Sequence, residues 1–111
     1  MVLTFIDAGQ LTARLDLEAP VEATDGQGGV SVTHTVETSL WARIEPISAA
    51  SEELGHVRRM VASHRIWTRL DDRVAPGKRF RKGARLFAIE TVRDPDETGR
   101  FLVCLCREEE A

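Results

Sequence analysis

The chain has 111 residues, of which 42% are hydrophobic and 30% are charged, and its formal net charge is −3. This length and composition are typical of one globular domain, spanning residues 1–111, and they exclude a fibrous repeat and a disordered tail. The sequence has no apolar run of about 18 residues, so no membrane-spanning helix is predicted.

The charge is unevenly distributed along the chain. Residues 1–57 hold two basic residues against nine acidic ones, a net charge of −7, whereas residues 58–111 hold thirteen against nine, a net charge of +4. Two interpretations are open. The surface is merely uneven in charge, or the acidic half of one copy pairs with the basic half of a neighbour.

Alternating apolar and polar residues predict strands along most of the chain. The alternation is clear at 13–19, where Pro20 is expected to end the strand, at 30–36 after a glycine-rich turn, and at 40–44 and 63–70. Residues 85–92 and 101–106 are apolar on both faces, as in central strands. These segments predict a mainly β fold, a small antiparallel β-barrel of about six strands.

Residues 48–62 are the one helical candidate. Leu54, Val57 and Val61 lie at helical spacing on one face, and acidic residues precede basic ones as the helix dipole favours. Gly55 weakens such a helix by about 1 kcal/mol relative to alanine. The segment is therefore interpreted as a short helix or as a long loop inserted between strands.

No arrangement of residues indicates catalysis. The sequence contains no Gly-x-Ser-x-Gly elbow, and its glycine-rich segment lies in a hairpin turn, where a phosphate loop does not belong. Cys104 and Cys106 lack the further ligand pair that a zinc site needs, so they are expected to be buried thiols. We predict a protein that is not an enzyme and that has no cofactor and no metal site.

Two groups of residues are candidates for contacts with partners. Strict alternation places Trp67 on a polar face between Arg65 and Arg69, a combination typical of protein interfaces. Trp41 also falls on the polar side of its strand, but the twist of a barrel is expected to bury it.

The densest basic cluster is the second group and has three open interpretations. It lies at 78–85 and contains Lys78, Arg79, Arg81, Lys82 and Arg85. The first interpretation is a surface that contacts phosphates, the second is an edge at which another protein docks, and the third is a solvated hairpin.

Several segments follow one another in a characteristic order. They are Asp7–Leu11, the loop Asp25–Gly29, Leu40–Ser48, Ser63–Arg69, Gly83–Val92 and Leu102–Glu108. In this order and spacing the chain resembles the head–tail joining proteins of long-tailed bacteriophages, also called head completion or stopper proteins. Phage-like gene transfer agents use similar parts. The similarity covers residues 7–108, and Trp67 and the basic residues 78–82 depart from the family pattern.

The resemblance implies a structural protein of the head–tail connector. Such a protein forms a ring, expected to be a dodecamer, which completes the DNA-filled head, retains the DNA and docks the tail. The implied partners are the portal–adaptor ring, the tail terminator or tail tube, other copies of the chain and packaged DNA in the channel, with no membrane. The implied location is a virion or phage-like particle, assembled in the bacterial cytoplasm.

In this family a loop between strands can reach into the channel, and the resemblance implies by position that residues 47–61 are this gate. The candidate gate residues are Ile47, Ser48, Glu52, Glu53, Leu54, Gly55, Arg58 and Arg59. The candidate docking residues are Arg65, Trp67, Arg69, Lys78, Arg79, Arg81 and Lys82. The alternative functions are a tail terminator ring protein of the neck and a small nucleic-acid-binding β-barrel.

Overall fold

The computed structural model describes the backbone of residues 7–54 and 57–109 and the side chains of residues 7–47 and 62–109. A single 3₁₀ turn, Ala8–Gln10, precedes the strands. The strands are β1 (Ala13–Thr24), β2 (Val30–Leu54), β3 (Val57–Arg69), β4 (Arg79–Lys82), β5 (Arg85–Arg93) and β6 (Phe101–Glu109). No helix within the described ranges has the length and apolar character needed to cross a membrane.

The six strands close into one antiparallel barrel in the order β1-β2-β3-β6-β5-β4, and β4 returns to β1. The predicted fold class is therefore confirmed. The seam between β1 and β4 is short, because it contains only the register pairs Asp16–Arg81, Leu17–Phe80 and Glu18–Arg79. By contrast, β5 and β6 pair along most of their length.

The barrel interior is filled by the inward-pointing residues of the alternating pattern. Its fully buried side chains include Leu15 and Leu17 of β1, Phe80 of β4 and Phe87 of β5. Because successive residues of a strand point to opposite faces, this row leaves the intervening polar residues on the outer wall.

A second, smaller cluster lies on the outside of the wall. Trp67 and Val103 occupy paired positions on β3 and β6, and Leu11 and Phe101 pack with them. Leu11 follows the 3₁₀ turn, which Asp7 caps by accepting a hydrogen bond from the Gly9 amide at 3.0 Å. The chain before β1 thus covers part of the outer face, and β3 and β6 are buried on both faces there.

Strands β1 and β2 extend beyond the barrel as a two-stranded ribbon, residues 19–36, which we call the first arm. The prediction that Pro20 ends the strand is wrong, because β1 runs on to Thr24 and Pro20 pairs with His34. Within the described part of the chain, β1 beyond Glu18 pairs with β2 alone. Its other edge is open, and proline is tolerated at such an edge because no partner strand needs its missing N–H.

Strands β2 and β3 also continue beyond the barrel, as residues 47–61, which we call the second arm. Of the two interpretations of residues 48–62, the short helix is wrong, because residues 48–54 and 57–62 lie in the paired strands β2 and β3. The register of this arm places Glu52 opposite Arg59 and Glu53 opposite Arg58. Opposite charges at facing positions favour antiparallel pairing, which a weak helix signal does not outweigh.

Candidate assembly surfaces

Trp67 lies in the outer-wall cluster and is buried. Only 5% of it is exposed, and its indole nitrogen donates a hydrogen bond to Glu45 Oε2 at 3.3 Å. Arg65 donates to the other oxygen of Glu45 at 2.9 Å. The prediction that Trp67 lies on the outer face is therefore right, but the tryptophan is not exposed there, because the segment before β1 covers it and Glu45 binds both its indole nitrogen and Arg65.

Trp41 is the exposed tryptophan, with 52% of its surface accessible. Its expected burial is wrong, and the strict alternation that placed it on the polar face of β2 is right. The Arg14 guanidinium lies 5.2 Å from the centre of its ring, at cation–π distance. With Arg69 and Leu70 these two residues form what we call the Trp41 patch.

Two shallow depressions meet at Trp41. One is lined by Arg14, Leu70 and Asp71, and the other by Ala8 and Leu11, while Trp41 and Arg69 line both. The carboxylate of Asp71 forms an ion pair with the guanidinium of Arg73 at 2.8 Å. A large aromatic ring between two arginines is the composition that dominates binding energy at protein interfaces.

Glu18 lies on the outer wall at the β1–β4 seam and is almost fully buried. Arg79 Nε donates to one of its oxygens at 2.6 Å, and Arg81 Nε donates to the other at 2.8 Å. Burial raises the pKa of Glu18, but the hydrogen bonds from Arg79 and Arg81 outweigh it, so the pKa lies below its ordinary value. Two residues of the basic cluster therefore link β4 to β1 through Glu18.

Most of the remaining basic cluster is also compensated. Lys78 lies 2.7 Å from Glu37, and Arg85 lies 2.8 Å from Glu108, whose pKa is lowered chiefly by that hydrogen bond. Lys82 is exposed. This arrangement does not favour a phosphate-binding surface, and the docking role of the cluster stays a prediction.

The candidate gate residues fall on the second arm. Ile47 is half-buried where β2 leaves the barrel, and Ser48, Glu52, Glu53, Leu54, Arg58 and Arg59 occupy strand positions. Gly55 lies outside the described residues. The structure therefore brings these candidates together on one hairpin, and their role at a channel stays a prediction.

The two cysteines point into the barrel. Both are fully buried, and burial raises the pKa of Cys104 to about 12 and raises that of Cys106 as well. Such thiols are not nucleophiles near neutral pH. Within the described residues no three His, Cys, Asp or Glu side chains cluster in a way that would hold a metal ion.

Sequence reasoning did not find Glu18 as a site residue. It is separated by 61 and 63 positions from its two arginine partners, and no local pattern marks a carboxylate that is buried on the outer wall. The nearest indication in the sequence is β4 itself. It has three basic residues in four positions, and their mutual repulsion favours an acidic side chain beside them.

Comparisons with known proteins agree with the resemblance found in the sequence. Residues 6–109 match the model of the phage head completion protein family. A chain in the structure of the virion of a native gene transfer agent particle is 31% identical, with a TM-score of 0.68, and the alignment covers 91% of this chain and 97% of that one.

A second solved structure shares the fold. It is the solution structure of protein SF1141 from Shigella flexneri 2a, which is 22% identical with a TM-score of 0.67 over 93% of this chain and 96% of that one. Among curated protein sequences, none matches the chain significantly.

Proposed function

The chain belongs to the phage head completion protein family, and from this we propose a structural role at the head–tail connector of a virion or phage-like particle. In this proposal copies of the chain form a ring, which completes the DNA-filled head, retains the packaged DNA and docks the tail. The observation that carries it is the family match over nearly the whole chain.

Two features of the molecule support this role. The gene transfer agent chain of similar fold is aligned over 97% of its length, so no large part of that virion protein lacks a counterpart here. In addition, the barrel carries two long β-arms, and the chain with its arms measures 54 Å along its longest axis. Arms that leave a small barrel provide contact surface beyond what the barrel itself offers.

The location is tested by imaging purified particles. Density for a ring of six-stranded barrels is expected between the portal end of the head and the tail, and the chain should be present in the purified particles. Particles that contain heads and tails but lack this chain would contradict the proposal.

In this proposal the second arm closes the DNA channel. It is a two-stranded ribbon that extends past Pro46, and its register places two acidic positions, Glu52 and Glu53, opposite two basic ones, Arg59 and Arg58. In the backbone that the structure describes, the strands of this arm pair only with each other beyond Pro46. A ribbon attached in this way can change its position without disturbing the barrel. The arm therefore suits a gate that lies across the channel before tail attachment and moves aside afterwards.

The gate is tested by shortening the arm while keeping its register. Replacing Glu52–Arg59 by Asn-Gly retains the Ser51–Met60 pair and supplies a two-residue hairpin turn. The variant should assemble into particles, yet heads without tails should lose their DNA. The control is the charge exchange E52R/R59E, which keeps the length of the arm and should retain DNA. Full heads in the shortened variant would show that the gate lies elsewhere.

Docking of a neighbouring ring is assigned to Lys82, an exposed member of the predicted docking set that lies outside the Trp41 patch. Arg79 and Arg81 are excluded from direct docking while they bind Glu18. K82E is therefore expected to leave the fold intact, because exposed charges contribute little to stability. It should lower the fraction of heads that carry tails, and normal joining would remove Lys82 from the docking surface.

A further inference from the structure

The first arm exposes a row of valines on one face. Val30, Val32 and Val36 alternate along β2, so they project from the same face of the ribbon, and their exposed fractions are 62, 54 and 55%. A two-stranded ribbon alone is marginally stable in water, and contiguous exposed apolar side chains mark interaction surfaces. This valine face therefore suits a protein surface that covers it.

The valine face is also acidic. The register places Glu22 directly opposite Val32, so its carboxylate lies on the same face as the valines. Residues 19–36 contain Glu22 and Asp25 and no lysine or arginine, which gives the arm a formal charge of −2. A matching surface must therefore be apolar at its centre and basic at its sides.

The Trp41 patch has this character. Trp41 and Leu70 are 52 and 48% exposed, and Arg14 and Arg69 lie beside them. Neither arginine forms an ion pair with any side chain that the structure describes. Two guanidinium groups at the edge of an apolar surface complement an acidic partner with an apolar face.

The two surfaces cannot meet within one molecule. Both lie on β2, where Val32 is nine residue steps, or roughly 30 Å of continuous strand, from Trp41, and Val36 is five steps, or roughly 17 Å. The arm would have to fold back on its own strand to reach the patch. Contact between them therefore requires a second copy of the chain.

We propose that the first arm of one copy docks its valine face on the Trp41 patch of the next copy. Glu22 then lies near Arg14 or Arg69 of that neighbour, and the valines cover its Trp41 and Leu70. Because the two surfaces differ, the contact is head-to-tail, the kind that closes into rings. The inference rests on the proposed ring and identifies the contact that builds it.

Disulfide trapping tests the contact with the purified full chain. One protein carries V32C and a second carries L70C, and the two are mixed at high concentration and oxidised with copper phenanthroline. The native cysteines are buried in the barrel and do not compete. Since each disulfide traps a complex when it forms, weak affinity is sufficient, and the mixture should yield a covalent heterodimer.

The matched control replaces V32C with T33C, which lies on the opposite face of the same arm, opposite Val21. We expect at least about tenfold more heterodimer from V32C with L70C than from T33C with L70C. Equal yields from the two mixtures would overturn the proposal. The absence of any V32C–L70C product would also overturn it. Strong cross-linking of the V32C protein with itself would overturn it in favour of pairing between two first arms.

Charge reversal supplies a second, independent readout. E22R in the V32C protein, or R69E in the L70C protein, should lower the yield about tenfold, because like charges face each other. Combining both reversals should restore it. If neither reversal alters the yield, the charge complementarity proposed here is wrong.

Particles separate this inference from the proposed function. After oxidation, particles that carry the V32C/L70C chain should give a ladder of covalent multimers. A chain present in particles as monomer alone contradicts the arm contact and leaves the connector role standing. A chain missing from wild-type particles contradicts the connector role itself.

Discussion

Replacing Glu18 with glutamine should weaken the shortest seam of the barrel. The substitution keeps the size of the side chain but removes the charge that Arg79 and Arg81 share, at 2.6 and 2.8 Å. Only three register pairs join β1 to β4. The ion triad therefore adds two side-chain links to a seam that has few backbone pairs.

The cost follows from the exposure of the partners. A hydrogen bond to a charged group contributes about 1.5–3 kcal/mol. Arg79 is 17% exposed, so its hydrogen bond should contribute nearly the full value. Arg81 is 36% exposed, and because water screens it, its hydrogen bond should contribute less. Glutamine retains one acceptor oxygen, so we expect a loss of about 2 kcal/mol in the free energy of unfolding. For a chain of this size that lowers Tm by about 8 °C.

The pH dependence gives the sharper test. Because the pKa of folded Glu18 is below its ordinary value of 4.5, its carboxylate contributes stability above pH 4.5. That contribution is lost as the pH falls through the folded pKa, and the neutral side chain of Glu18 then resembles a glutamine in charge. The difference between wild type and E18Q should therefore shrink in acid, although other carboxylates weaken both proteins equally.

Urea unfolding, followed by tryptophan fluorescence, measures the difference at neutral pH and at about pH 3, below the ordinary pKa of a glutamate. The control is E22Q on the first arm, where the carboxylate is exposed and the stability of the dilute protein should not change. A difference for E18Q below about 0.5 kcal/mol at neutral pH, which is typical of surface substitutions, would refute the reasoning. A difference that stays constant into acid would refute the role assigned to the charge.

Three further predictions follow from burial and backbone pairing. In urea unfolding, W67A should lower the free energy of unfolding by about 3 kcal/mol or more, because it removes the largest side chain of the outer-wall cluster. W41A should lower it by less than about 1 kcal/mol in the dilute protein. Equal losses would contradict the finding that Trp67 is buried and Trp41 is exposed. Iodoacetamide should leave Cys104 and Cys106 unmodified in the native protein and label them in urea, and mass spectrometry that finds labelled native protein would contradict their burial. Amides of the second arm should exchange quickly in the isolated chain and slowly in particles, and fast exchange in both would contradict its contact with neighbouring copies.

The barrel was predictable because alternation with a period of two determines which face of a strand is buried. Leu15 and Leu17 show this pattern, and they point into the core as expected. Pro20 and the second arm were mispredicted for a related reason. A proline or a weak helix pattern is a local signal. Strand β1 continues through Pro20 because it pairs with β2 and its other edge is open, and the second arm is extended because β2 pairs with β3.

The assembly surfaces were less predictable because burial on the outer wall depends on distant parts of the chain. Trp67 and Trp41 have the same local alternation, and only the packing of Leu11 and Phe101 decides that Trp67 is covered. Likewise, in the sequence β4 has the pattern of an unpaired basic cluster, and only the fold places Glu18 beside it. Sequence periodicity identifies the outward residues but does not show which of them the rest of the chain covers.

The central claim is that this chain completes the head and joins it to the tail. The most direct measurement is electron microscopy of particles from a strain in which the gene has been removed, with the gene restored in trans as control. We predict heads that have packaged DNA but leak it and carry no tails, alongside free tails, and normal particles after complementation. Intact, DNA-filled, tailed particles in the absence of the gene would contradict the account.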